Sequence, residues 1–176
     1  MMNSSISRCL LAGLVVIGAL QAQTGTPGIA AEAKQAYNAV KNNLMKSAEK
    51  VPDAAYGFKP TPDIRSFAEV FAHVAESQMR TCSAVLGESK TVDAAGKTTK
   101  ADITAALQEA FSECDKAYDS LTDANALEAI KTPRGQRSRI GALNGNTAHD
   151  SEQYGILSVY MRLKGIIPPS SDRSGK

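Results

Sequence analysis

The sequence predicts an all-α fold, a four-helix bundle with a long connection between helices 3 and 4. Three observations carry this expectation. Four segments place apolar residues at three- and four-residue steps, the spacing of one helical face. The seven prolines all fall outside these segments, at positions 27, 52, 60, 62, 133, 168 and 169. No alternating apolar run is long enough to build a sheet.

Residues 1–22 read as a secretory signal. Arg8 supplies the basic element, Cys9 to Leu20 an apolar run, and small residues surround Ala22, where cleavage is expected. The run is shorter than the roughly 20 residues a membrane span needs. Leu20 at the minus-three position is larger than cleavage sites usually carry, so an uncleaved N-terminal anchor is the alternative. Cys9 opens the apolar run, whereas a lipoprotein signal needs its cysteine at the end. The expectation is an exported protein, periplasmic or secreted, with no stable membrane span in the mature chain. Residues 23–176 form its single domain, and roughly 150 residues suffice for a hydrophobic core without added staples.

The first helix runs from about Gly28 to Val51, with Ala33, Tyr37, Val40, Leu44, Ala48 and Val51 on its apolar face. Pro52 follows it. Pro60 and Pro62 make the stretch from Tyr56 to Asp63 a stiff linker, because each fixes its own φ and disfavours helix in the residue before it. Tyr56 and Phe58 should pack that linker on the bundle. Ser66 and Glu69 stand in capping-box spacing at the start of the second helix. Its stripe is Phe67, Val70, Phe71, Val74, Gln78, Cys82 and Val85, and Gly87 supplies the stop. A polar loop over 88–99 leads to the third helix, whose face carries Ile103, Leu107, Ala110, Phe111, Cys114, Tyr118 and Leu121.

Between Thr122 and Arg139 the periodicity lapses, and Pro133 with Gly135 marks a connection long enough to cross between non-adjacent helices. The basic stretch Lys131 to Arg139 reads as a solvated loop. The fourth helix spans about Arg139 to Lys164. Arg162 and Lys164 suit the negative end of its dipole, Gly165 can take a left-handed cap, and Pro168 and Pro169 forbid continuation.

The chain has 20 basic and 18 acidic residues, and loss of Arg8 leaves 19 against 18. Near neutrality argues against nucleic acid as a partner, since such proteins usually carry a basic stripe. Cys82 and Cys114 remain after processing. An oxidising compartment permits a disulfide between them, with two buried thiols as the alternative. Neither cysteine sits in an activating arrangement such as Cys-X-X-Cys, which argues against a thiol-exchange protein.

The fourth helix carries the best clue to function. Asn146, His149 and Gln153 share a stripe with Ala142, Ile156, Leu157 and Tyr160, within an arc of about 100°. Polar, metal-capable groups thus occupy positions where the pattern demands a core. Each costs about 1 to 3 kcal/mol if buried without a partner. His149 and Gln153 lie four apart, so they can converge on one atom. His73, about 120° from the centre of the apolar face of its helix, can join them from the second helix. The chain contains only these two histidines. Gln153 is the weak member, because a neutral amide binds a transition metal far less strongly than imidazole does. The rival reading is that Asn146 and Gln153 hydrogen-bond to His149 and fix its tautomer. By the same angles Asp150 points about 100° away from His149 toward solvent, and Glu152, about 60° off on the other side, is a neighbour or plain surface. No nucleophile triad, phosphate loop or pair of acid and base carboxylates is visible.

Several segments together resemble one family. They are Phe58-Lys-Pro-Thr-Pro62, Phe67-Ala-Glu-Val-Phe-Ala-His-Val-Ala75, His149-Asp-Ser-Glu-Gln-Tyr-Gly155, Tyr160-Met-Arg-Leu-Lys-Gly165 and Pro168-Pro169. The chain resembles the DinB-like superfamily, which includes bacillithiol transferases and mycothiol-dependent isomerases, over nearly all of its mature length. The resemblance implies a four-helix bundle and a possible homodimer. It implies a divalent metal, zinc, nickel or manganese, held by one histidine of the second helix and two histidines, four apart, on the fourth. His73 matches the first and His149 the second. The third position is Gln153, so this chain has lost one imidazole. The expected function is therefore an exported DinB-like protein with a weakened metal site at His73, His149 and Gln153, open to a small-molecule ligand. A non-catalytic small-ligand-binding or structural bundle, its polar pocket closed by hydrogen bonds, is the alternative.

Overall fold

A computed structural model describes residues 26–132 and 135–174. The expected signal over 1–22 and Pro133 lie outside them. Four helices form the fold: α1 (Ile29–Lys50), α2 (Phe67–Val85), α3 (Lys100–Asp119) and α4 (Arg139–Leu163). The chain is all-α in its architecture, as the periodicity predicts. No described helix is long and apolar enough to cross a membrane.

Helix ends follow local chemistry. The Ser66 side chain accepts from the backbone N–H of Glu69 at 3.2 Å, and the Ser66 N–H donates to Glu69 Oε2 at 2.6 Å, which completes the capping box of α2. Thr99 caps α3 through the N–H of Asp102, and Ser138 caps α4 through the N–H of Gly141. At the end of α4, Gly165 has φ of 72°, and the N–H of Ile166 donates to the Met161 carbonyl at 2.8 Å. A residue with a β-carbon rarely adopts that left-handed turn, which accounts for glycine there.

Helices α1 and α2 each pack mainly on α3 and α4. Helices α1 and α2, and likewise α3 and α4, therefore sit diagonally across the bundle while α2 and α3 pack side by side, so the 51–66 linker and the 120–138 connection must cross it. Tyr56 is buried and donates to the Ala48 carbonyl at 2.8 Å, while Phe58 packs edge-on to Tyr160. These contacts pin the linker as the sequence suggests. In the centre Tyr37 stacks on Tyr118 with ring centroids 3.9 Å apart. Tyr118 donates to the Leu143 carbonyl, and Tyr37 to Asp115. Burial and the neighbouring Asp115 carboxylate push the Tyr37 hydroxyl well above the usual phenol range. Cys82 and Cys114 form a disulfide between α2 and α3, with Cα atoms 4.9 Å apart.

One expectation fails in the α3–α4 connection. It is not a plain loop: β1 (Ala129–Thr132) and β2 (Gly135–Ser138) pair antiparallel, with Ile130 opposite Arg137. Hydrophobic alternation could not reveal this hairpin, because its strands are mostly exposed and only Ile130 packs on the core. Gly135, the first residue of β2, has φ of 102°, a conformation open to glycine. The hairpin lies against α2 and α4, and so brings its basic residues to the helices that carry the two histidines.

Candidate functional site

His73 is positioned by the core stripe of α2. Phe67, Val70, Phe71 and Val74 are buried, which leaves His73 half-buried at the boundary. His149 reaches it from α4, with the two Nε2 atoms 3.0 Å apart and the rings inclined by 66°. The two histidines of the chain therefore meet. Burial lowers the proton affinity of His73, and the nearby Arg65 guanidinium lowers it further. Its neutral form, the one able to accept a proton or ligate a metal, is thereby favoured.

Behind the pair sits a carboxylate expected at the surface. Asp150 is wholly buried, and burial pushes its carboxyl up to about 6 despite the opposing pull of His149. The error was angular. The deepest positions of α4 include Leu143, Asn146, Asp150, Leu157 and Met161, and their arc is centred about 65° from the expected stripe that runs through Ala142, His149, Gln153 and Ile156. Ile156 is only partly buried as a result. Counting Leu143 and Met161 as core positions would have placed Asp150 inside.

Gln78 of α2 secures this acid. Its Nε2 donates to Asp150 Oδ2, and its Oε1 accepts from Asn146 Nδ2 at 2.7 Å. The Gln78 side chain also lies against the disulfide sulfurs. The second oxygen, Asp150 Oδ1, stands 3.6 Å from His149 Nδ1, and neither atom has a hydrogen-bond partner. The polar residue at position 78 of an otherwise apolar stripe was the available sign of a buried partner. Asn146 thus holds Gln78, where the sequence had offered His149 as its partner.

Gln153 is buried on the next turn of α4, and its Oε1 has no hydrogen-bond partner. It lines a cleft with Ile64, Arg65, Val70 and Tyr160. Glu152 is exposed, but its charge acts on His73 in the direction that favours protonation. Among the described residues no group of three His, Cys, Asp or Glu side chains could hold a metal. The two imidazoles meet each other, whereas Gln153 faces a cleft that neither histidine lines.

Two separate features are compatible with a divalent ion. Two nitrogens at about 2.0 to 2.1 Å from one zinc stand about 3.3 Å apart at tetrahedral angles and about 2.9 Å at right angles. The 3.0 Å separation of the imidazole nitrogens falls within that range. The Gln153 oxygen is a buried acceptor left unsatisfied, which normally signals a missing partner. With one imidazole replaced by an amide, the set suits weak binding.

The DinB superfamily model matches residues 36–157, and the chain belongs to that superfamily. No curated protein matches the chain. Among solved structures, a DinB-like protein from Bacillus cereus is 16% identical with a TM-score of 0.66, covering 78% of this chain and 93% of that one. A DinB-like protein from Bacillus subtilis is 17% identical with a TM-score of 0.63, covering 81% and 99%. The mycothiol-dependent maleylpyruvate isomerase is 12% identical with a TM-score of 0.59, covering 75% of this chain and 63% of that enzyme. At these identities the likeness concerns the fold.

Proposed function

We propose that this is an exported DinB-superfamily protein with a weak divalent-metal site formed by His73, His149 and Gln153. The observation that carries the reading is the approach of the two imidazoles, from separate helices, to an Nε2 separation of 3.0 Å. Zinc, nickel or manganese, when bound, would supply a Lewis acid beside the histidine pair. The chain's own residues orient it. Asp150 Oδ1 stands 3.6 Å from His149 Nδ1, and a shift of a few tenths of an ångström on metal binding would let the carboxylate accept from Nδ1–H and leave Nε2 to ligate, while Gln78 with Asn146 holds Asp150 in turn. Export is supported by the N-terminal signal pattern and by the Cys82–Cys114 bridge, the chemistry of an oxidising compartment.

The test is metal binding by protein without a histidine tag, compared with Gln153→His. A third imidazole at position 153 should tighten binding by at least about tenfold, on the order of 1.4 kcal/mol. Unchanged affinity would show that residue 153 does not face the metal. The second reading, a non-catalytic bundle, also has an observation in its favour. A separation of 3.0 Å is equally that of an N–H···N hydrogen bond between two neutral imidazoles. That reading prevails if the wild-type protein stays free of metal after incubation with all three ions.

A further inference from the structure

Beside the histidine pair lies a cavity of about 50 Å³, several times the roughly 10–15 Å³ that one water requires on the same measure. Its lining is electrostatically one-sided. Arg80 of α2, Arg137 of β2 and His149 of α4 border it, the hydroxyl residues Ser77 and Thr81 complete the α2 wall, and no carboxylate does. Neither arginine belongs to an ion pair among the described residues, although Arg139 nearby is paired with Glu128. Arg80 Nη2 donates to Ser77 Oγ at 3.2 Å, which aims the guanidinium along the wall and leaves the serine proton free to donate.

The floor of the cavity points the same way. Gly145 lies inside α4, where glycine is about 1 kcal/mol poorer than alanine. Arg137 Nη1 lies over this residue, where a β-carbon would meet it at an ordinary contact distance of 3.4 Å, so the guanidinium rests on the α4 backbone at the cavity. The hairpin that carries Arg137 is thus seated against α4 with its cation directed at the cavity. Two unpaired guanidiniums brought together at a common space repel each other, and an oxyanion relieves this with charge-assisted hydrogen bonds.

We propose that this cavity binds the carboxylate or phosphate group of a small ligand, with Arg80 and Arg137 as its charge partners and Ser77 and Thr81 as hydroxyl donors. The inference goes beyond the metal reading, since the charge of the cavity comes from the arginines alone. Bound there, an anionic ligand would lie against His149 and present its remainder to the histidine pair.

The test is a titration of chelator-treated protein with sodium phosphate and, separately, sodium malonate at constant ionic strength, followed by amide chemical shifts. We expect saturable shifts at Thr81, Gly145 and Asn146 with at least one of the two probes, the tighter one identifying the class. Arg80→Gln and Arg137→Gln should each weaken binding by about tenfold. Lys131→Gln, on the same hairpin but outside the cavity, should change it by less than about twofold. The proposal is overturned if neither probe saturates, if chloride produces the same shifts, or if the two arginine variants bind as the parent does. The titration contains no metal, so its failure leaves the histidine site to its own test.

Discussion

Replacing Asp150 by asparagine should stabilise the protein, and only above the pH at which the buried acid ionises. Asp150 is fully enclosed, and its carboxyl is raised from 3.8 to about 6 chiefly by burial. A tenfold change in proton affinity is worth about 1.4 kcal/mol, so the ionised form costs the folded state on the order of 3 kcal/mol. The direction follows from linkage. Between about pH 4 and 6 the native protein holds a proton that the unfolded chain has released, so stability falls as pH rises through that window and levels off above it. Asparagine does not ionise, and its amide oxygen can still accept from Gln78. The two proteins should therefore be equally stable below about pH 4. The variant should gain on the order of 3 kcal/mol above pH 6, about 6 to 12 °C in Tm for a chain of this size. Urea unfolding from pH 4 to 8 in the presence of a chelator measures the difference. The contribution of His73, whose lowered pKa removes stability as pH falls below about 6.5, is common to both and cancels. A difference independent of pH, or an asparagine variant less stable at pH 8, would refute the reasoning. The first result would mean that folding leaves the carboxyl's proton affinity unchanged, and the second that the carboxylate is stabilised as an ion.

The disulfide closes a sequence separation of 32 residues, so Cys82→Ala with Cys114→Ala should cost about 3 to 4 kcal/mol in urea unfolding by the loop-entropy model. A loss below about 1 kcal/mol would place the stabilisation elsewhere. Ser66→Ala should remove about 1 kcal/mol by uncapping α2. It should also raise the Glu69 carboxyl modestly, since that group is held near 2 by the Ser66 backbone N–H, by Lys59 and by the Ser66 hydroxyl, and only the last is removed; an NMR pH titration follows it. A Glu69 carboxyl unmoved by that substitution would assign its low value to other contacts.

The bundle was legible because each core stripe repeats a period that only a helix satisfies. The capping box, the pinned linker at Tyr56 and Phe58, and the left-handed Gly165 were legible because each depends on residues a few positions apart. The pairing of His73 with His149 was reachable too, with the superfamily resemblance setting the register between helices that periodicity leaves free. Asp150 was missed for a specific reason. A helical wheel resolves faces to a few tens of degrees, and the two faces flanking position 150 differ by that amount. Arg137 was unreachable by periodicity, since its place depends on a solvent-facing hairpin whose register is set by pairing and not by burial.

The surroundings of the histidine pair carry opposite charge on its two sides, and this gives Arg80 a dual effect. Toward the interior stands Asp150, and toward the solvent stand Arg65, Arg80 and Arg137. The field of Arg80 already lowers the affinity of His73 for a proton, and a divalent cation at the same nitrogen should feel that field more strongly. Arg80→Gln should therefore move two affinities in opposite directions, with phosphate binding weakened and metal binding tightened severalfold. Arg80 is exposed, so the metal effect should fade as added salt shortens the Debye length. Metal titrations in a non-coordinating buffer at two ionic strengths would measure it. If both affinities fall together, Arg80 acts by holding the wall of α2 in place and not through its charge. If metal affinity alone is unmoved at low salt, the ion binds away from His73. A tightening that salt abolishes would instead tie both sites to one electrostatic field, with the arginine that serves the anion also contributing to the weakness of the metal site.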